Sequence, residues 1–215
     1  MNQRVGGWAV RTALVVAVLL TAEPPNRLTA QDTIPAGYGS LRRDDIVAQF
    51  STPNLQIQVL PLDEQVIRLL APDTYRSLHQ LIDSRASDIT DAAQRGGTDN
   101  PTLVMVTFLG IVPQARFSPE DLSITSRGRL FRPVGIVPLS PTWSSNQLDA
   151  RQQAVAIYLF EPGIGTREEL TVSYEGLNSE AWRRSLRLLD QERARVKARA
   201  QSGPVGAAKP DSGAR

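Results

Sequence analysis

"AVAIYLF", residues 154–160, is an unbroken apolar and aromatic run set between Gln152-Gln153 and Glu161-Pro162. A run this short, apolar on both faces, reads as the central strand of a sheet. Its surroundings follow from that reading. The mostly apolar segment 103–109, bounded by Pro101 and Gly110, reads as a second buried strand. Residues 55–59, Leu-Gln-Ile-Gln-Val, alternate with period two, as in a strand with one face in a core and one in water. Residues 46–50 precede it across Ser51-Thr52-Pro53-Asn54, which suggests a hairpin. Residues 118–121 read as a turn and 122–125 as a strand, and the turn 126–129 returns the chain into Leu130-Phe131. Residues 170–174 alternate cleanly and are expected to close the sheet.

Between these strands the spacing turns helical. Asp63 is placed to cap a short helix running through Leu70, and Pro72 suits a first helical turn. Tyr75, Leu78, Ile82, Ala86 and Ile89 then fall three or four apart, predicting one helix to about Gln94 with one face on the sheet; Gly96-Gly97 ends it. Asn178 or Ser179 is expected to cap a last helix over 178–199, whose stripe Trp182, Leu186, Leu189 is interrupted by Arg193. That interruption predicts three docked turns and a free end. Residues 31–44 read as a flexible leader, 45–177 as a single α+β domain with its helical part near 63–94 and its strands from about 102, and 200–215 as a disordered tail.

"LFRPVGIVPLSPTW", residues 130–143, carries three prolines in an apolar setting. Proline cannot donate to a sheet ladder, so Pro133, Pro138 and Pro141 confine the segment to an edge or a crossover. Val134, Ile136, Val137, Leu139 and Trp143 would then cap the open end of the core. The same stretch offers a candidate partner edge at Pro138, Leu139, Pro141 and Trp143, and the prolines guard it against strand pairing.

"DLSITSRGRLFRP", "LDARQQAVAIYLFEP" and "LTVSY" together resemble the immunoglobulin-like β-sandwich accessory domains of secreted bacterial envelope proteins. The resemblance covers about a quarter of the chain and lacks the immunoglobulin cysteine pair. It implies only the general architecture, a mainly antiparallel immunoglobulin-like sandwich; with the hairpin, helices and basic helix read from spacing and charge, the chain is expected to be α+β, the sandwich preceded by the hairpin and helices and followed by the basic helix. It transfers no functional residue, because such sandwiches host many functions.

The first thirty residues predict export: Arg4 and Arg11, an apolar run over 13–20, then small residues ending in Leu-Thr-Ala at Ala22 and again at Ala30. The run is too short to span a bilayer core, which needs about twenty residues. Cleavage after Ala30 leaves a mature chain beginning near Gln31, with no transmembrane segment, in the periplasm or outside the cell. The chain has no cysteine, so its fold relies on its core without disulfides. Residues 31–180 carry 12 basic and 18 acidic groups, net −6; residues 181–215 carry 9 and 3, net +6. An acidic body thus ends in a basic helix.

The sequence gives little support for catalysis. His79 is the only histidine, so a zinc site or a cysteine nucleophile is not expected; a serine triad would need His79 with Asp83 as its orienting group. The acidic pairs Asp44-Asp45, Asp63-Glu64, Glu120-Asp121 and Glu168-Glu169 sit largely at turns and helix starts, where acids cap and solvate. No cofactor is expected. Arg183, Arg184, Arg187, Arg193, Arg195, Lys197 and Arg199 form a candidate anionic-surface site; export and the lack of aromatic residues after Trp182 argue against nucleic acid. The reading is therefore a non-catalytic envelope or periplasmic binding or scaffolding module, with an unknown protein or an envelope polymer as partner. The alternatives are attachment through the basic helix, and a hydrolase built on carboxylates or His79.

Overall fold

The computed structural model describes residues 34–202. The signal peptide expected at 1–30 and most of the tail expected at 200–215 lie outside these residues. The described chain is α+β, with mostly antiparallel sheets and a C-terminal helix.

The two apolar runs pair with each other at the centre of a five-stranded sheet. β3 (Thr102–Gly110) and β9 (Gln153–Phe160) run antiparallel with Met105 opposite Ile157 and Phe108 opposite Ala154. Outside β3 lies the hairpin of β1 (Ala48–Ser51) and β2 (Leu55–Pro61); Leu55, Ile57 and Val59 are buried, while Gln56 and Gln58 are half-buried. Outside β9 lies β7 (Pro133–Pro138), giving the order β1-β2-β3-β9-β7. The proline-rich segment is thus an edge strand, with its register broken between Pro133 and Gly135.

The helical segment forms two helices, not the single one expected, and the second of them packs against that edge. α3 (Pro72–Ser84) stops at Arg85 and α4 (Ala86–Arg95) begins at once. Ser84 Oγ donates to the Leu81 carbonyl, 2.8 Å, a local bond that competes with helix continuation. The break turns Ile89, Ala92 and Ala93 inward while Ala86 stays exposed. Gly135 then meets Ala92 so closely that a Cβ at 135 would stand 3.2 Å from the Ala92 carbonyl oxygen. Two short helices come before α3: α1 (Arg43–Ile46), and α2 (Glu64–Ile67), capped by Asp63, whose carboxylate accepts from the Gln65 N–H at 2.9 Å.

A second sheet has the order β11-β10-β5-β6, from β5 (Ser123–Ser126), β6 (Arg129–Phe131), β10 (Leu170–Tyr174) and β11 (Leu177–Ser179). β10 was expected to close the sheet; it lies inside one, because Glu175 and Gly176, with φ 46° and 80°, form a two-residue turn that returns the chain as β11. A two-stranded ribbon, β4 (Ala115–Arg116) with β8 (Gln147–Leu148), completes the strands. Phe108 of the first sheet lies 5.5 Å from Tyr174 of the second, ring to ring, so an aromatic core joins them.

Two expectations about the chain ends are corrected. Residues 34–44 are not a loose leader: Ile34 is 2% exposed, and Leu41 forms a parallel bridge with Leu70, donating to the Leu69 carbonyl at 3.2 Å. The apolar Ile34, Tyr38 and Leu41 pack although their neighbours are polar. α5 (Trp182–Gln201) does not project after three turns either; its buried stripe continues through Glu192 to Val196, both 0% exposed. Its start is also later than expected because residues 177–179 are a strand; Ser179 Oγ accepts from the Ala181 N–H at 3.3 Å.

Candidate functional site

The seven basic residues of α5 do not form one open surface. Arg183 is tied to Glu169 at 2.8 Å and to Glu180 at 3.1 Å, and Arg193 to Asp190 at 2.5 Å. Arg199 and Arg195 reach the buried Glu192 at 3.0 and 3.7 Å, and Lys197 is also engaged. Arg184 and Arg187 alone of the seven have no partner among the described residues. They line a shallow groove with Leu188 and Gln191.

Of the candidate partner edge, Pro138 and Pro141 are exposed and Leu139 is half-buried. Trp143, at 8% exposure, is part of the core, on a 3-10 turn over 141–145, packed edge-on against Phe117 at 5.3 Å and Tyr158 at 6.0 Å. Capping the core is its main work. Its rim still reaches solvent in a cleft of about 560 Å³, shared with Phe117, Ile136, Asn146 and a second 3-10 turn, Pro119–Asp121.

Two tyrosines hold that second turn from beneath. Tyr158 Oη donates to the Pro119 carbonyl at 2.8 Å, and the Ser118 N–H donates to Tyr174 Oη at 2.9 Å. Burial, reinforced by nearby charges, raises both phenols well above the ordinary tyrosine range, so both remain neutral hydroxyls. Tyr158→Phe is expected to cost about 1 kcal/mol in urea unfolding, because it leaves the Pro119 carbonyl unpaired. A variant as stable as the parent would show that this bond contributes nothing to holding the turn.

The other acidic pairs are occupied. Asp45 accepts from the Arg42 N–H at 2.8 Å; Asp63 caps α2 and accepts from Thr166 Oγ1 at 2.6 Å; Glu64 pairs with Arg68 at 2.5 Å; Glu168 and Glu169 pair with Arg127 and Arg183. Glu120 and Asp121 make no ion pair among the described residues, and they stand at the cleft's lip. They are neighbours on one turn, whereas a glycosidase needs two carboxylates facing each other across the cleft, and the rest of the lining includes no other carboxylate. His79 stands elsewhere, with Nδ1 3.2 Å from Glu64 and Nε2 3.7 Å from Asp83, so both ring nitrogens face carboxylates rather than a serine. Among the described residues, no group of three or more His, Cys, Asp or Glu side chains could hold a metal ion.

Sequence reading treated Glu120-Asp121 as an ordinary turn and missed its meeting with Trp143. The available signal was the pairing of two short segments, "FSPED" at 117–121 and "PTWSSN" at 141–146, each with an aromatic residue next to a proline-led turn. Also missed was Glu192, an acid at stripe spacing between Leu189 and Val196. No family model, curated protein or solved structure matches the chain. The cleft between the two 3-10 turns is therefore identified by its geometry alone.

Proposed function

We propose that the chain is an exported, non-catalytic binding or scaffolding module of the envelope or periplasm, whose recognition surface is the cleft beside Trp143. One observation carries this reading: two 3-10 turns, one of them anchored by Tyr158 and Tyr174, meet at an open cleft lined by Ile136 and the edge of the aromatic core, and two carboxylates there have no ion-pair partner among the described residues. Concave sites that combine apolar contact with a few fixed polar groups are the usual form of ligand and partner sites. Export rests on the charged start, apolar run and small residues of 1–30, and cleavage after Ala30 would leave the packed Ile34 in place. An immunoglobulin-like sandwich is the finer reading of the fold; its support is the Phe108–Tyr174 contact between the five-stranded and four-stranded sheets.

A second reading places recognition on α5, favoured by Arg184 and Arg187 beside the exposed Leu188, where an anionic envelope polymer would meet free guanidinium groups. One experiment separates the two: capture from native envelope with the parent chain, with Ile136→Arg in the cleft, and with Arg184→Glu/Arg187→Glu on the helix. The cleft reading expects a specific partner lost only with Ile136→Arg. Loss only with the helix variant moves the surface to α5, and no specific partner removes the proposal.

A further inference from the structure

Resting on the reading of the cleft as a recognition surface, we infer that its occupant is a basic peptide segment. A Lys or Arg reaches Glu120 and Asp121, and a neighbouring aliphatic side chain lies on Ile136 and Phe117.

Charge is the first argument. Each of the other three acidic pairs has a member that pairs with an arginine or caps a helix, while Glu120 and Asp121 have no cation among the described residues. Two adjacent carboxylates repel anionic polymers and lipid headgroups, which excludes from this cleft the partners that α5 would favour.

Preorganisation is the second. The carboxylates project from a turn whose backbone is fixed by Tyr158, by Tyr174 and by the Asp121 N–H donating to the Ser118 carbonyl at 3.2 Å. A cation arriving there need not order the loop first, so little conformational entropy opposes binding.

Size and backbone chemistry select a peptide and say how it docks. A cleft of about 560 Å³ falls within the range that takes ligands of several side chains, and a lone amine would leave most of it unfilled. The neighbouring edge strand β7 has Pro133 and Pro138 at its two ends, so it offers too short a ladder for an added strand. Recognition through side chains in the cleft remains.

The test pans a random peptide display library against the purified chain, then measures one enriched peptide by titration calorimetry against Glu120→Gln, Asp121→Asn and Ile136→Arg. The expected result is enrichment of Lys or Arg beside an aliphatic residue. Affinity should fall about tenfold for each carboxylate neutralised, weaken with added salt, and vanish with Ile136→Arg. Melting curves of each variant confirm that it is folded. Peptides that lose binding with Ile136→Arg but carry no basic residue, or ignore both neutralisations, overturn the basic-segment inference and leave the cleft reading intact. Peptides indifferent to Ile136→Arg, or no enrichment at all, overturn both.

Discussion

Glu192→Ala is expected to destabilise the fold by about 2–4 kcal/mol and lower the melting temperature by roughly 5–15 °C. The carboxylate is fully buried and accepts three hydrogen bonds: from the Ser40 N–H at 2.9 Å, Ser40 Oγ at 2.8 Å and Arg199 Nη1 at 3.0 Å. Arg199 also donates to the Tyr38 carbonyl, so a single acid ties the start of the packed chain to its last helix across 152 positions of sequence. Removing it strands the Ser40 donors, while Arg199, 41% exposed, can turn to water; that escape keeps the expected cost below that of a wholly buried pair. Glu192→Gln keeps an acceptor and the shape, and should cost only about 1–2 kcal/mol.

The same site gives the fold an acid limit. Burial pushes the Glu192 carboxyl up, but the bonds from Ser40 and Arg199 outweigh burial and hold it below the ordinary glutamate range. A carboxylate with a lowered folded-state value contributes stability above its unfolded value and loses it as pH falls through the folded one. In the parent, the protection of amides at Ser40 and along α5 against hydrogen exchange, relative to their intrinsic rates, should therefore fall together below the ordinary glutamate range. In Glu192→Gln the protection, measured relative to the intrinsic exchange rate at each pH, should stay constant there. A Glu192→Ala variant within 0.5 kcal/mol of the parent, or exchange that loosens only one of the two segments, would show that the tie does not couple them.

Strands were legible wherever one side chain in two, or every one, had to be apolar. Residues 55–59, 103–109, 154–160 and 170–174 all fall within strands, because burial on one or both faces writes a short-range pattern. What failed was anything that no apolar period writes, whether a local turn or a partner far along the chain. β11 has two exposed residues of three and exists because of the Glu175-Gly176 turn. The leader packs through three apolar residues in a polar setting, and α5 stays docked past Arg193 because Glu192 finds Ser40, which no helical periodicity can announce.

The candidate site shows the same division. The prolines of 130–143 disclosed an edge strand, and the apolar residues around them disclosed a core cap. That Trp143 would be buried and still border a cleft depended on the 3-10 turn 119–121, more than twenty residues earlier in the chain. The density of arginine on α5 was plain, yet which guanidinium groups stay free was decided by Glu169, Glu180, Asp190 and Glu192.

Phe108→Ala is expected to cost about 3–5 kcal/mol, the largest loss from any single truncation in the aromatic core. The ring is fully buried on β3 and sits 4.9 Å from Phe117, 6.0 Å from Trp143 and 5.5 Å from Tyr174. It therefore touches the cleft floor, the cap and the second sheet at once, and the void left behind borders three large rings that cannot all move in. Against a total of about 5–15 kcal/mol for a domain, that loss can leave a visible unfolded fraction at room temperature, so the measurement is urea unfolding at 10 °C followed by tryptophan emission. Phe108→Leu keeps much of the volume and should cost only about 1–2 kcal/mol. This milder variant is the informative one: its near-ultraviolet circular dichroism should fall as Phe117 and Trp143 lose their fixed packing, while far-ultraviolet signal stays. If Phe108→Leu leaves the aromatic signal unchanged, the cleft floor is held by the tyrosine-anchored turn at 118–121 and the 141–145 turn alone, and the sheet beneath supports it only passively.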